Sequence, residues 1–208
     1  MRKIFLIIII LLISTLNLCA EAVDTDEALL LGKKAFEDGF YEVSMGLLER
    51  YLTGAPNPTH MADAELLIAQ CYFHQNRFSE ALKKLEALAN NSQSANLLDA
   101  VYYWIAELHF KANDFNKAVQ FYKKLLSEFP ASAYAPAAYY SLGWVFSQTQ
   151  DYSQALENFK TLEKKFPREP QAKEAAFKII ECLYHLKDYA QLKEKIKPYF
   201  KLYNDDSL

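Results

Sequence analysis

Apolar residues recur three and four positions apart through most of the chain, the spacing that lines one face of a helix. The segment YYSLGWVFSQTQDYSQALENFKTLEKKFP, residues 139–167, is typical. Its two apolar stripes are separated by QTQD. There Asp151 is placed to accept a bond from the free amides of the following helix. Phe166-Pro167 ends the second stripe, because proline disfavours helical geometry in the residue before it. The pattern predicts two helices joined by a short turn.

The same pattern returns every 37 residues. The aromatic that opens the second helix recurs as Tyr41, Phe78, Phe115, Tyr152 and Tyr189. Three residues on stand Ser44, Ala81, Ala118, Ala155 and Leu192, and seven on stand Leu48, Leu85, Tyr122, Phe159 and Ile196. A further column runs Tyr51, Leu88, Leu125, Leu162 and Tyr199. On the first helix a small column runs Gly32, Ala69, Ala106, Gly143 and, out of character, Ile180. Small residues such as Gly143 and Ala155 let paired helices approach closely, and Phe159 and Leu162 are expected to fill the space against the next pair. One helix pair cannot bury its apolar face alone, whereas stacked copies can.

The expected fold is all-α: a right-handed α-solenoid of about five helix-turn-helix repeats with a 37-residue period. The repeat domain spans residues 24–204, with units at about 25–57, 58–93, 94–130, 131–167 and 168–204. The second unit has Gln93 where the first, third and fourth close with proline, and Ile180 and Leu192 make the fifth the most divergent. With large residues in both small columns, that last unit is expected to pack more loosely.

Leu142-Gly143, Phe146, Tyr152, Ala155, Phe159, Leu162 and Pro167 together resemble the tetratricopeptide repeat. The third unit matches it through Ala106, Phe115, Ala118, Tyr122, Leu125 and Pro130. With junctions such as FPASAYAPAAYYSLGW, the chain is similar to bacterial envelope tetratricopeptide proteins of the BamD and YbgF (CpoB) kind. The resemblance implies that the first helices line a concave face on which peptides lie.

The N-terminus carries a different signal. MRK precedes the uncharged run IFLIIIILLISTL, shorter than the roughly 20 residues a spanning helix needs. Small residues follow, so residues 1–20 are expected to be a secretory signal cleaved after Ala20 or Ala22. The alternatives are an uncleaved anchor and lipidation of Cys19, which has Leu18 where a small residue is usual. Membrane contact is expected only in those two cases. The expected location is periplasmic or otherwise exported, with outer-membrane association if Cys19 is lipidated.

Composition narrows the chemistry. A 51% apolar, 24% charged chain with only 5 Gly builds a helical core and no phosphate-cradling loop. A formal charge of −3 argues against nucleic acid as a partner. No H-E-x-x-H, C-x-x-C or G-x-S-x-G occurs. His74 and His185 share a repeat column three units apart, too far to share a metal. Cys71 and Cys182 have the same separation, too far for a disulfide, and are expected to be buried thiols. No enzyme activity and no cofactor are expected.

What remains is a surface. One side of the first helices carries Leu29, Leu66, Tyr103, Tyr140 and Phe177, and the next turn carries Lys33, Gln70, Glu107, Trp144 and Glu181. Tyr and Trp bury much area at small entropic cost and are common at interaction hot spots. Gln70, Tyr103, Glu107, Tyr140, Trp144 and Phe177 are therefore the candidate groove for an extended, partly apolar segment of a protein or peptide partner. Phe36, Phe73 and Phe110, one turn further, are expected to be core. The function these features favour is a non-catalytic interaction scaffold in envelope assembly or maintenance. The alternative is a secreted accessory chaperone or secretion-system subunit.

Overall fold

The structure of the protein, a computed structural model, describes residues 25–54 and 56–204. The signal segment, its cleavage sites and Cys19 lie outside the described residues, as do the side chains of Tyr199, Phe200 and Tyr203. The fold is all-α. Ten α-helices occur among the described residues: α1 (Thr25–Glu37), α2 (Tyr41–Thr53), α3 (Pro58–His74), α4 (Phe78–Ala89), α5 (Leu98–Lys111), α6 (Phe115–Glu128), α7 (Ala135–Gln148), α8 (Tyr152–Lys165), α9 (Pro170–His185) and α10 (Tyr189–Asn204). They form five successive helix-turn-helix repeats of an α-solenoid. The second repeat, which lacks the closing proline, carries a 3-10 segment at Ser92–Leu97 instead. Asn91 caps that segment by accepting from the Gln93 amide at 3.0 Å.

Every turn inside a repeat is built the same way. Gly39, Asn76, Asn113, Gln150 and Lys187 all have φ between 58° and 80°. They are spaced by one repeat period. In the fourth repeat the Gln150 amide donates to the Ser147 carbonyl at 3.1 Å and the Asp151 amide to the Phe146 carbonyl at 2.8 Å. This is the paired closure that ends a helix on a left-handed residue. The residue after it is the N-cap of the next helix. Asp114, Asp151 and Asp188 accept from the amides of Lys117, Gln154 and Gln191 at 3.3, 3.1 and 3.1 Å. In the last three repeats one dipeptide thus closes the first helix and caps the second.

The chain divides into two compact units, one through Cys71 and one from Tyr72. In the first unit Gly32 and Leu48 interlock, since a Cβ at Gly32 would lie 2.9 Å from the Leu48 side chain. Ser44 occupies the small column where alanine stands in the next three repeats. Its buried hydroxyl is satisfied by donating to the Gly32 carbonyl at 2.8 Å, and the Cys71 thiol donates to it at 3.6 Å. Tyr51, fully buried, donates its hydroxyl to the Asn57 carbonyl at 3.1 Å.

In the second unit one core joins Ala106, Ala118, Tyr122, Leu142, Phe159, Leu162 and Ile179 along successive helices. Phe159 is expected to face the next repeat, but its ring covers Gly143 on the first helix of its own repeat. A Cβ on Gly143 would meet it at 2.4 Å. The reason is register: the two columns lie sixteen residues apart across one turn, so the absent side chain of one makes room for the ring of the other. The aromatic before the closing proline is reused in the same way. Phe129 packs on Tyr102 and Phe166 on Tyr139, both at 6.2 Å between ring centroids. Cys71 and Cys182 are both free and buried, and burial pushes both thiols above their ordinary range.

Two outcomes are expected. Gly143→Ala forces Phe159 off its site and costs about 1–3 kcal/mol by overpacking, measured by denaturant unfolding. Gln150→Asn relieves the left-handed turn, because asparagine tolerates positive φ better than glutamine, and raises stability by roughly 0.5 kcal/mol.

Candidate partner-binding groove

The first helices of the second unit place Tyr103 and Glu107 on α5, Tyr140 and Trp144 on α7, and Phe177 on α9. Gln70 belongs to the first unit, on α3, and is buried. Tyr103 and Glu107, Tyr140 and Trp144 are each separated by one helical turn, so each pair shares a face.

These five side chains differ in what they touch. The Tyr103 ring stacks on Tyr134 at 5.0 Å, half-buried. The Glu107 carboxylate joins three helices: it accepts from the Tyr122 hydroxyl of α6 at 2.6 Å and from the Ser141 hydroxyl of α7 at 3.0 Å. Burial, reinforced by the Glu107 charge, holds the Tyr122 and Tyr103 hydroxyls well above the ordinary tyrosine range. Both are neutral donors at any physiological pH. Tyr140 reaches forward from α7 to α9, donating its hydroxyl to Glu174 at 2.6 Å. Its own titration is raised, first by burial and then by that bond.

Trp144 carries a cation on its face. Lys178 of α9 places Nζ 4.3 Å from the indole centroid and also donates to Glu181 at 2.7 Å. Phe177 is exposed at the α9 end of the row. Phe73 and Phe110, expected in the core, are half-buried and pack on the opening aromatics Phe78 and Phe115 at 5.8 and 6.0 Å.

Three cavities follow one another along this face. The first, about 310 Å³, is lined by Phe110, Tyr140, Ser141 and Trp144. The second, about 200 Å³, lies between α7 and α9, with Trp144, Ser147, Lys178, Glu181 and His185 among its walls. The third, about 360 Å³, is formed by α9 and α10 and is lined by Phe177, Ile180, Tyr184, Leu192 and Ile196, with Glu181 and His185 at its border with the second. Trp144 is shared by the first two cavities, and Glu181 and His185 by the last two. The third opens in the repeat whose small columns hold Ile180 and Leu192.

Among the described residues no group of three or more His, Cys, Asp or Glu is placed to hold a metal ion. His185 instead stacks on Tyr152 at 4.2 Å, and burial lowers the titration of His74 and His109. None of the described helices is long and apolar enough to cross a membrane.

Tetratricopeptide repeat families match residues 29–96 and residues 100–132. Over those residues the chain carries tetratricopeptide repeats. Its last third is similar to a further family, YfiO, described as outer membrane lipoprotein, over residues 136–207. Among curated proteins no sequence match is found. Solved structures extend the likeness over the whole repeat array. BtubC from P. vanneervenii is 14% identical with a TM-score of 0.70, covering 86% of this chain and 80% of its own. MamA from Desulfovibrio magneticus RS-1 is 11% identical with a TM-score of 0.69, covering 88% and 97%. The kinesin light chain TPR-like repeats from Podosopora anserina are 13% identical with a TM-score of 0.65, covering 90% and 99%. At such identities the likeness is one of fold.

Within this tetratricopeptide array, sequence columns found the row of aromatics but not the role of Glu107. The signal for it was Tyr122, a hydroxyl in a column otherwise filled by Leu, Phe and Ile. Replacing Glu107 with Ala leaves the Tyr122 hydroxyl without its partner. The expected loss is about 1–3 kcal/mol in thermal or denaturant unfolding. A neutral outcome would mean that Glu107 faces a ligand rather than holding the scaffold.

Proposed function

We propose that the protein is a non-catalytic interaction scaffold of the bacterial cell envelope that holds an extended segment of a partner protein along the face of α5, α7 and α9. The observation that carries this reading is the row of three cavities joined by shared walls at Trp144, Glu181 and His185. Adjacent packed helices lie about 8–10 Å apart. An extended chain of the polyproline II type advances about 9 Å in three residues and returns every third side chain to the same face. Successive cavities therefore suit side chains spaced about three apart in one extended segment. The outer two are apolar and the middle one carries Lys178 and Glu181. That ordering favours a segment with apolar side chains flanking a polar one.

The envelope assignment draws support from the outer membrane lipoprotein family matched by residues 136–207 and from the apolar N-terminal run with its small-residue cleavage sites. Tyr103, Glu107 and Tyr140 order the floor of this face, and Trp144 and Phe177 present surface to the ligand. Gln70, buried in the first unit, is assigned no direct contact. The matched families are repeat families, which accords with a role in holding rather than transforming a partner.

Pull-down from envelope fractions tests the reading. The wild-type chain is expected to retain a defined partner, and Trp144→Ala to weaken its binding by about 2 kcal/mol or more, the scale of a hot spot. Undiminished capture by Trp144→Ala would place the partner on another surface. An intact mass beginning at Cys19 with a lipid attached would tie the scaffold to a membrane. A start at Glu21 or Val23 would leave it free.

A further inference from the structure

Columns of the repeat show which residues join one helix pair to the pair before it. Leu30 heads the column Leu30, Leu67, Trp104, Ser141 and Lys178. In the second unit each later member reaches back to the preceding first helix. The Trp104 ring is 5.0 Å from Phe73, Ser141 donates to Glu107 at 3.0 Å, and Lys178 caps the Trp144 ring at 4.3 Å. Leu30 is 67% exposed. Its neighbour Leu31 is 43% exposed, while its repeat equivalents Ile105, Leu142 and Ile179 are 2%, 1% and 0% exposed.

The opposite face shows the complementary feature. Positions that receive these contacts, those of Phe73, Glu107 and Trp144, are held in the last repeat by Tyr184 and Glu181. Tyr184 is 62% exposed and Phe177 43%, and both border the apolar cavity of about 360 Å³ between α9 and α10. The two terminal repeats also differ in charge. Residues 25–57 carry six acidic and three basic side chains, a net charge of −3, whereas residues 168–208 carry eight basic and seven acidic, a net charge of +1.

We propose that a second copy of this chain covers that cavity, the first helix pair of one copy stacking on the last pair of another. The repeat then continues across the junction, with Leu30 against Glu181 and Tyr184 and Leu31 over the apolar cavity. Unlike charges of the two terminal repeats favour this head-to-tail contact and oppose head-to-head and tail-to-tail ones. A contact between two different faces leaves one of each unfilled after every addition, so it does not close at a dimer. That cavity is the third of the row along α5, α7 and α9, so a copy seated on it competes there with the partner segment proposed above; Trp144 and Glu107 are not contacts of this junction.

Sedimentation velocity on the exported protein tests it. The wild-type chain is expected to shift to larger species as concentration rises and back to monomer as salt is added. Leu30→Glu removes one face and Tyr184→Glu the other. Each variant alone is expected to stay monomeric with the melting temperature of the wild-type monomer, since both side chains are exposed. An equimolar mixture is expected to form a dimer and nothing larger, because one intact face of each kind remains. A wild-type chain that stays monomeric at all concentrations would overturn the proposal. So would self-association retained by either variant alone, or a mixture that fails to dimerise. A lowered melting temperature for monomeric Leu30→Glu would also overturn it, by showing that Leu30 is covered within its own chain.

Discussion

Within each unit, the two helices of a repeat are held in their mutual orientation by a single residue with left-handed backbone. Gly39, Asn76, Asn113, Gln150 and Lys187 take that position, and the two amide bonds around each of them leave three residues between one helix and the next. With the turn fixed, the first and second helices meet at one register. That register sets Gly32 opposite Leu48 and Gly143 opposite Phe159. A longer or looser turn would move those pairs out of line. The backbone strain at Gln150 and Lys187 is a local cost, offset by the core that the turn aligns.

Stacking of one repeat on the next uses a different set of contacts, and here the chain is less uniform. Between α5 and α7 the link is the Glu107 carboxylate with its two hydroxyl donors. Between α7 and α9 it is a lysine on an indole ring and a tyrosine on a carboxylate. Core columns are near-copies of each other, while the facing residues of the first helices differ from repeat to repeat. That difference gives the face distinct chemistry along its length, apolar near Tyr140, charged near Lys178, apolar again near Ile180.

The repeat period, the small and large columns, the capping aspartates and the two buried thiols were legible in the sequence because each is a one-residue requirement repeated in register. The left-handed column was less so: Gly39, Asn76 and Asn113 carry its chemistry, but Gln150 and Lys187 do not. That the Phe159 ring also fills the space left by Gly143 was not legible, because periodicity places a residue on a face without saying which neighbour supplies the gap. Likewise the candidate groove could be placed on the first helices. Yet the sequence did not separate Tyr103, stacked under Tyr134, from the exposed Phe177, since their column is the same and their surroundings are not. Non-local bonds such as Tyr122 to Glu107 leave no period at all.

In the second unit, the side-chain bonds that link neighbouring repeats join residues 31 to 34 apart: Lys160 with Gln191, Lys195 with Glu163, Ser132 with Asp99, Ser141 with Glu107, and Tyr140 with Glu174. Each of these five bonds stays within adjacent repeats. A chain delivered N-terminus first, as through a translocation pore, would have each pair's binding surface completed by the next forty or so residues to emerge. Folding can therefore keep pace with delivery, pair by pair, without waiting for the C-terminus. Topology of this kind limits how long apolar surface is exposed in transit, a kinetic advantage separate from the stability of the finished array.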